Sequence, residues 1–218
     1  MNKLTGGGYI FRAMRKLAYA IDPIAKWLRF KKTIINKVSL WQYIRFKLTP
    51  NKQIYWPVHR NSEVTHPNNI YVGINSNPGT RPGCYLQGNG GIWIGNYVHF
   101  ASNIGIISAN HCIYNQTQHD KRRVIIKDYC WIGMNSVILP GVTLGERTIV
   151  GAGSIVTKSF PDGYCVIAGN PANLIKCLNP EEFVPTKFPE EYYGYIPKEE
   201  FPKFSLKYKV PTNIFKSQ

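Results

Sequence analysis

The sequence predicts a mainly β chain: a parallel β-helix of six-residue repeats, preceded by a helical segment and followed by an irregular tail. Three observations predict it. Counting in sixes from Ile126 meets Ile132, Ile138, Leu144, Val150 and Val156, all aliphatic. The next position of the hexad is glycine at Gly133, Gly145 and Gly151. Four residues past each aliphatic stand Cys130, Ser136, Val142, Thr148, Ser154 and Phe160, which are mostly small. A period of six matches neither an amphipathic helix nor an alternating strand. It matches a stack in which each hexad gives a short strand and a corner, and in which no hexad buries its aliphatic side chain alone. Glycine and small residues let the coils turn and approach one another. A β-sandwich with chance spacing is the competing reading, but its turns recur roughly every 8–12 residues and its strands alternate.

Residues 1–50 read as mostly helical, ended by the breakers in "TPNKQIYWP". Positions 1–60 carry thirteen Lys and Arg residues, eleven of them within 1–50, against one acid, Asp22, and Phe, Tyr, Trp, Leu and Ile recur among them at helical spacing. Two readings stand. These are amphipathic helices lying on an anionic membrane surface, or helices packed on the end of the β-helix with solvated basic faces. No DNA or RNA motif accompanies the charge, so nucleic acid is not an expected partner. Residues 51–85 read as an extended, irregular lead-in, with Gly and Pro in "SNPGTRPGC". Residues 86–176 read as the β-helix. Residues 177–218 form a tail rich in Pro, charge and aromatics, too interrupted for a long helix and suited to wrap along the body.

The repeat is broken once. Ile94, Phe100 and Ile106 keep the interval of six, yet twenty residues separate Ile106 from Ile126. An insertion over about 107–125 follows, and its sequence "SANHCIYNQTQHDKRR" holds two histidines and three consecutive basic residues. A regular coil has its backbone groups already paired, so a break is where side chains and free N–H groups can meet a substrate. The five cysteines form no CxxC pair or zinc-like cluster, and with no leader apparent they read as reduced thiols of a cytoplasmic protein. No apolar run approaches a membrane span.

The run "VIIKDYCWIGMNSVILPGVTLGERTIVGAGSIVTKSFPDGYCVIAGNPANLIK" resembles the C-terminal half of the hexapeptide-repeat O-acetyltransferases, with "WIG", "ILPGV", "GAGSIVTK" and "AGNPA" as its marks. It is similar to galactoside and maltose acetyltransferases and to enzymes that acetylate bacterial capsule and exopolysaccharide sugars. The likeness covers about residues 70–176. It implies a left-handed β-helix, a homotrimer, acetyl-CoA as co-substrate, no metal, and a sugar or glycan acceptor. It implies a cytoplasmic enzyme, held at the inner face of the membrane if the basic segment binds there.

The resemblance also implies site residues. His111 of "ANH" matches the catalytic base, and a neutral imidazole near pH 7 suits deprotonation of a hydroxyl. Asn110, Asn115 and His119 share its loop and stand as acceptor contacts. Arg81 in "GTRPGC" stands where galactoside enzymes carry an asparagine-rich "NxN", and it would suit a carboxylate- or phosphate-bearing glycan or brace the loop. Met134, Ala152, Thr157, Lys158, Asn173 and Lys176 match contacts to acetyl-CoA, with Lys158 and Lys176 able to meet its phosphates. At Asn173 the family commonly carries a basic residue. Other readings are a serine acetyltransferase, a γ-type carbonic anhydrase with zinc between subunits, or a trimeric scaffold without catalysis. His111 and His119 lie eight apart, a poor match to a preformed three-ligand metal site.

Overall fold

The computed structural model describes residues 54–186, 188 and 190–212. The helical segment expected over 1–50 lies outside the described residues. The chain forms β1(Glu63–Thr65), β2(Ile70–Val72), β3(Tyr85–Gln87), β4(Ile92–Ile94), β5(His99–Phe100) and β6(Gly105–Ile107). It continues with β7(Ala109–Cys112), β8(Asn115–Lys121), β9(Val124–Ile126), β10(Trp131–Ile132), β11(Val137–Ile138), β12(Thr143–Leu144) and β13(Thr148–Val150). It ends with β14(Ile155–Val156), β15(Cys165–Gly169), β16(Ala172–Cys177), β17(Tyr192–Tyr193), β18(Ile196–Pro197) and α1(Phe201–Tyr208).

Three parallel sheets form the walls of a left-handed β-helix. Sheet 1 stacks β1, β3, β6, β11 and β14; sheet 2 stacks β2, β4, β9 and β12; sheet 3 stacks β5, β10, β13 and β15. The six-spaced aliphatics are the core. Ile126, Ile132, Ile138, Leu144 and Val156 are fully buried, and Val150 is 1% exposed. They stack in register, Ile132 beside Val150 and Ile138 beside Val156. The small residues of the hexad line the corners. Ser136 Oγ donates to the Gly133 and Gly151 carbonyls, and Ser154 and Thr148 donate to the carbonyls three residues before them. Each buried hydroxyl is thereby satisfied without leaving the coil. The glycines keep the coils close: a Cβ on Gly133 would lie 2.6 Å from the Val150 carbonyl oxygen.

The corners are paid for in backbone strain. Tyr97, Tyr129, Arg147 and Tyr164 all have positive φ and recur once per coil at the corner entering sheet 3. Asn103 and Asn135 do the same at the corner entering sheet 1. Left-handed backbone costs a non-glycine residue about 1 kcal/mol or more, so stacking must repay it. Tyr97 and Tyr129 lie nearly parallel with ring centroids 5.1 Å apart.

The stack begins before residue 86. Val64 and Ile70 pair with Leu86 and Ile92, so part of the expected lead-in is a first coil. Val64 and Ile70 are six apart, but sixteen residues separate Ile70 from Leu86, and the count in hexads therefore missed this coil. An antiparallel hairpin, β15 with β16, closes the last coil.

The tail wraps along the body. Phe183 meets Tyr129 and Tyr164, Phe188 stacks on Tyr97, and Tyr97 donates to Glu191 at 2.5 Å. It thus runs back down the tyrosine column to the opposite end of the prism. There Tyr192, Tyr195, Ile196 and Phe201 bury against Tyr55 and Trp56. Phe201 and Tyr193 stack at 3.8 Å, and the Trp56 indole donates to the Pro78 carbonyl. The short α-helix α1 fits the proline spacing because Pro202 occupies its first turn.

Candidate active site

The insertion leaves the β-helix between β6 of sheet 1 and β9 of sheet 2. Its expected irregular loop is a two-stranded antiparallel hairpin, β7 with β8. All seven residues of β8 are exposed, so no apolar alternation marked it as a strand. The hairpin is rooted in the coil below. Ser108 Oγ donates to the Gln87 carbonyl at 2.5 Å, the Ala109 N–H donates to Gln87 Oε1, and the Arg122 N–H donates to the Ser108 carbonyl. Beyond that root it projects into solvent, to a tip where Tyr114 is fully exposed.

His111 and His119 are paired across the hairpin, with ring centroids 4.4 Å apart. His111 Nδ1 lies 2.7 Å from the Gln116 carbonyl oxygen. A carbonyl only accepts, so Nδ1 carries the proton and the neutral ring presents a lone pair at Nε2. Asn110 is exposed opposite Asp120. Asn115 sits at the turn, where its Oδ1 accepts from the Thr117 N–H and Oγ at 3.1 and 2.6 Å. That is the bond pattern of a turn residue.

The six positions matched to acetyl-CoA divide into three places. Met134 and Ala152 share the corner between sheets 3 and 1, where the Gly153 N–H donates to the Met134 carbonyl at 2.8 Å. Thr157 and Lys158 follow β14, and Lys158 Nζ donates to Asn173 Oδ1 at 3.1 Å. Asn173 thus meets the lysine whose charge it would otherwise have doubled. Lys176 stands apart, lining a cleft of about 290 Å³ with Arg147, Tyr164 and Phe183.

A larger cleft of about 630 Å³ lies on the outer face of sheet 3. Arg81, His99, Tyr129, Trp131, Met134 and Arg147 are among the residues lining it. Arg81 therefore belongs to this face, away from the His111 hairpin of the same chain. Trp131 and Arg147 were not singled out by sequence. The available signal was Trp131 itself, a large aromatic at an outward hexad position, 56% exposed. His99, directly beside Trp131 in the ladder, has its pKa lowered by burial and then by the charge of Arg147. Among the described residues, no three His, Cys, Asp or Glu side chains cluster as a metal site would need.

The family described as bacterial transferase hexapeptide (six repeats) matches residues 123–158, the most regular coils. The galactoside O-acetyltransferase of Lactococcus lactis is 35% identical over 97 residues, 42% of this chain and 46% of that one. That of Escherichia coli K12 is 35% identical over 92 residues, 40% of this chain and 45% of that one. A maltose O-acetyltransferase from Clostridium difficile 630 superposes with a TM-score of 0.53 at 28% identity, covering 72% of this chain and 84% of that one. Residues 123–158 are thus hexapeptide repeats of the bacterial transferase kind, and the fold around them is similar to that of sugar O-acetyltransferases. The chain spans about half the length of the curated relatives it matches. A galactoside acetyltransferase solved in complex with coenzyme A shares the fold, with a TM-score of 0.57 at 20% identity over 84% of this chain and 88% of that one.

Proposed function

We propose that the chain moves an acetyl group from acetyl-CoA to a hydroxyl of a sugar or glycan, as a homotrimer, with His111 as general base. The observation that carries the reading is the bond from His111 Nδ1 to the Gln116 carbonyl, which fixes the tautomer and frees Nε2 to accept a proton. Nε2 takes the hydroxyl proton as the oxygen attacks the thioester carbonyl. The tetrahedral intermediate then expels the CoA thiolate, and the imidazolium returns the proton to sulfur. The acetylated sugar and free CoA leave. His119, opposite His111, orients the ring or the acceptor, and Asn110 lies beside it.

Topology supports the trimer. The hairpin leaves one edge of the prism, between sheets 1 and 2, whereas Met134 and Ala152 occupy the edge between sheets 3 and 1. A site that uses both sets is completed when the hairpin of one copy faces the Met134 edge of another. The donor's pantetheine would run along that seam past Met134, Ala152 and Thr157, with Lys158, Asn173 and Lys176 towards its phosphates. Capsule, exopolysaccharide and lipopolysaccharide precursors are the acceptor class we favour. The basic residues 1–50 would hold the trimer at an anionic cytoplasmic membrane surface, each Lys or Arg near it contributing about 1 kcal/mol.

The test is a mass-spectrometric screen of purified protein with acetyl-CoA and sugars from bacterial envelopes, with thiol release followed in parallel. Acetylated product at stoichiometry with free thiol supports the reading; thiol release with no acetylated sugar, or neither, sinks it. Co-sedimentation with anionic vesicles, lost at high salt and on removal of residues 1–50, tests the membrane component.

A further inference from the structure

Two arginines line the cleft on sheet 3, and Arg147 also borders the smaller cleft beside Phe183. Arg81 precedes β3, at the edge where sheet 3 turns into sheet 1; Arg147 precedes β13, at the opposite edge, where sheet 2 turns into sheet 3. Between them lie His99 and the exposed Trp131. Among the described residues no Asp or Glu lines the cleft. The three carboxylates whose charge reaches the cleft residue Tyr129 are each bonded to other groups. Asp128 accepts from the Asn96 N–H and side-chain amide at 2.9 and 3.0 Å. Glu146 accepts from the Tyr164 hydroxyl at 3.2 Å, and Glu191 is shared by Tyr97 and Lys198, each at 2.5 Å. Among the described residues neither arginine forms an ion pair.

Arg147 is also held in place. Its guanidinium lies 4.2 Å over the Phe183 ring, so the tail restricts its motion. A positioned, uncompensated guanidinium loses little rotamer freedom on binding an anion, and its planar fork matches a carboxylate or phosphate. Trp131 adds apolar area on which a sugar ring can rest. A volume of about 630 Å³ lies within the range of small-molecule sites.

We infer that this cleft binds an acidic sugar, one bearing a carboxylate or a phosphate, through Arg81 and Arg147. Calling that sugar the acceptor rests on the acetyl-transfer reading; the binding itself does not. The inference separates this chain's substrate class from a neutral galactoside or maltose.

Calorimetric titration of the full chain with methyl glucuronide, glucose 6-phosphate and methyl glucoside tests it without acetyl-CoA. At least one acidic sugar should bind roughly tenfold or more tightly than the neutral glucoside, a charge-assisted pair being about twice as strong as a neutral one. Which acid is preferred tells carboxylate from phosphate. Arg81→Met and Arg147→Asn should each collapse that ratio towards one. Asn tolerates the left-handed corner at 147, and Arg81→Met keeps the carbonyl that accepts from Ser62 Oγ; melting is followed for both. Equal binding of acid and neutral sugar, no binding of any, or a preference that survives both substitutions overturns the inference. Transfer from acetyl-CoA to the same sugars is measured separately. Acid-selective binding without transfer would sink the enzyme reading and leave the acidic-sugar site standing.

Discussion

In the coils from Val124 to Ile167 the inward side chains are buried, and every strand is bonded to a coil above, below or both. In the hairpin inserted before them, every residue of β8 is exposed and the two strands form a ladder only with each other. One region is fixed by packing, the other by its root at Ser108 and by pairing across its own turn. The contrast shows how a rigid repeat acquires chemistry. A stacked coil has its polar groups satisfied and its side chains either buried or lying flat on a wall. Only the interruption lifts an imidazole clear of the wall with a lone pair facing outwards.

The comparison breaks most completely at Ile138. Ile138→Asp places a carboxylate where three coils stack and no partner exists. Burying a charge unpaired costs several kcal/mol, comparable with the whole stability of a domain. The variant should give no soluble folded protein. Circular dichroism showing an unchanged melting transition would mean that the hexad phase assigned to the core is wrong.

At the hairpin the same kind of change should leave the fold alone. His111→Ala should melt with the wild type, retain acetyl-CoA affinity and lower turnover by on the order of 10²–10⁴. Near wild-type turnover would remove His111 from the mechanism and point to His119. Together, the Ile138 and His111 variants separate what holds the molecule from what it does.

These two regions were also unequally legible in sequence. The core announced itself because each aliphatic repeats one geometric demand, from Ile126 to Val156, and a period survives any local irregularity. The hairpin appeared only as a gap in that period. Its strands are polar on both faces, so His111 and His119 could be placed in one loop but not opposite one another. The first coil was hidden for a related reason: Val64, Leu86 and Ile106 stack in sheet 1, but the chain between them is longer than eighteen residues. The sheet 3 cleft was least legible. Arg81 and Arg147 are far apart in the chain, and only the stacking of separate coils brings both to one face.

The tail lies between the two extremes, neither repeating nor free. Phe183→Ala removes contacts to Tyr129, Tyr164 and Arg147 at once. Phe183 is only half-buried, so the loss should be about 1–2 kcal/mol, below that of a core aromatic. Melting should fall by a few degrees while the coil spectrum stays intact. A tail that ran loose would show no change.

The smallest effect belongs to a wall residue, His99, where packing and charge meet. Burial and then the Arg147 charge hold its pKa below the ordinary 6.5. The unfolded chain therefore binds more protons than the folded one in the window between the folded value and 6.5. Stability is fully present above 6.5 and is lost as pH falls through that window. The four other histidines remain in a His99→Gln variant, so the difference between the two proteins isolates this one. Urea unfolding across the acid side of 6.5 should show wild-type stability rising with pH more steeply than that of His99→Gln. Arg147→Asn should remove only part of the difference, because burial is the larger cause. A variant slope equal to wild type would mean that the ring titrates freely, and that the sheet 3 wall is as open at His99 as the hairpin is at His111.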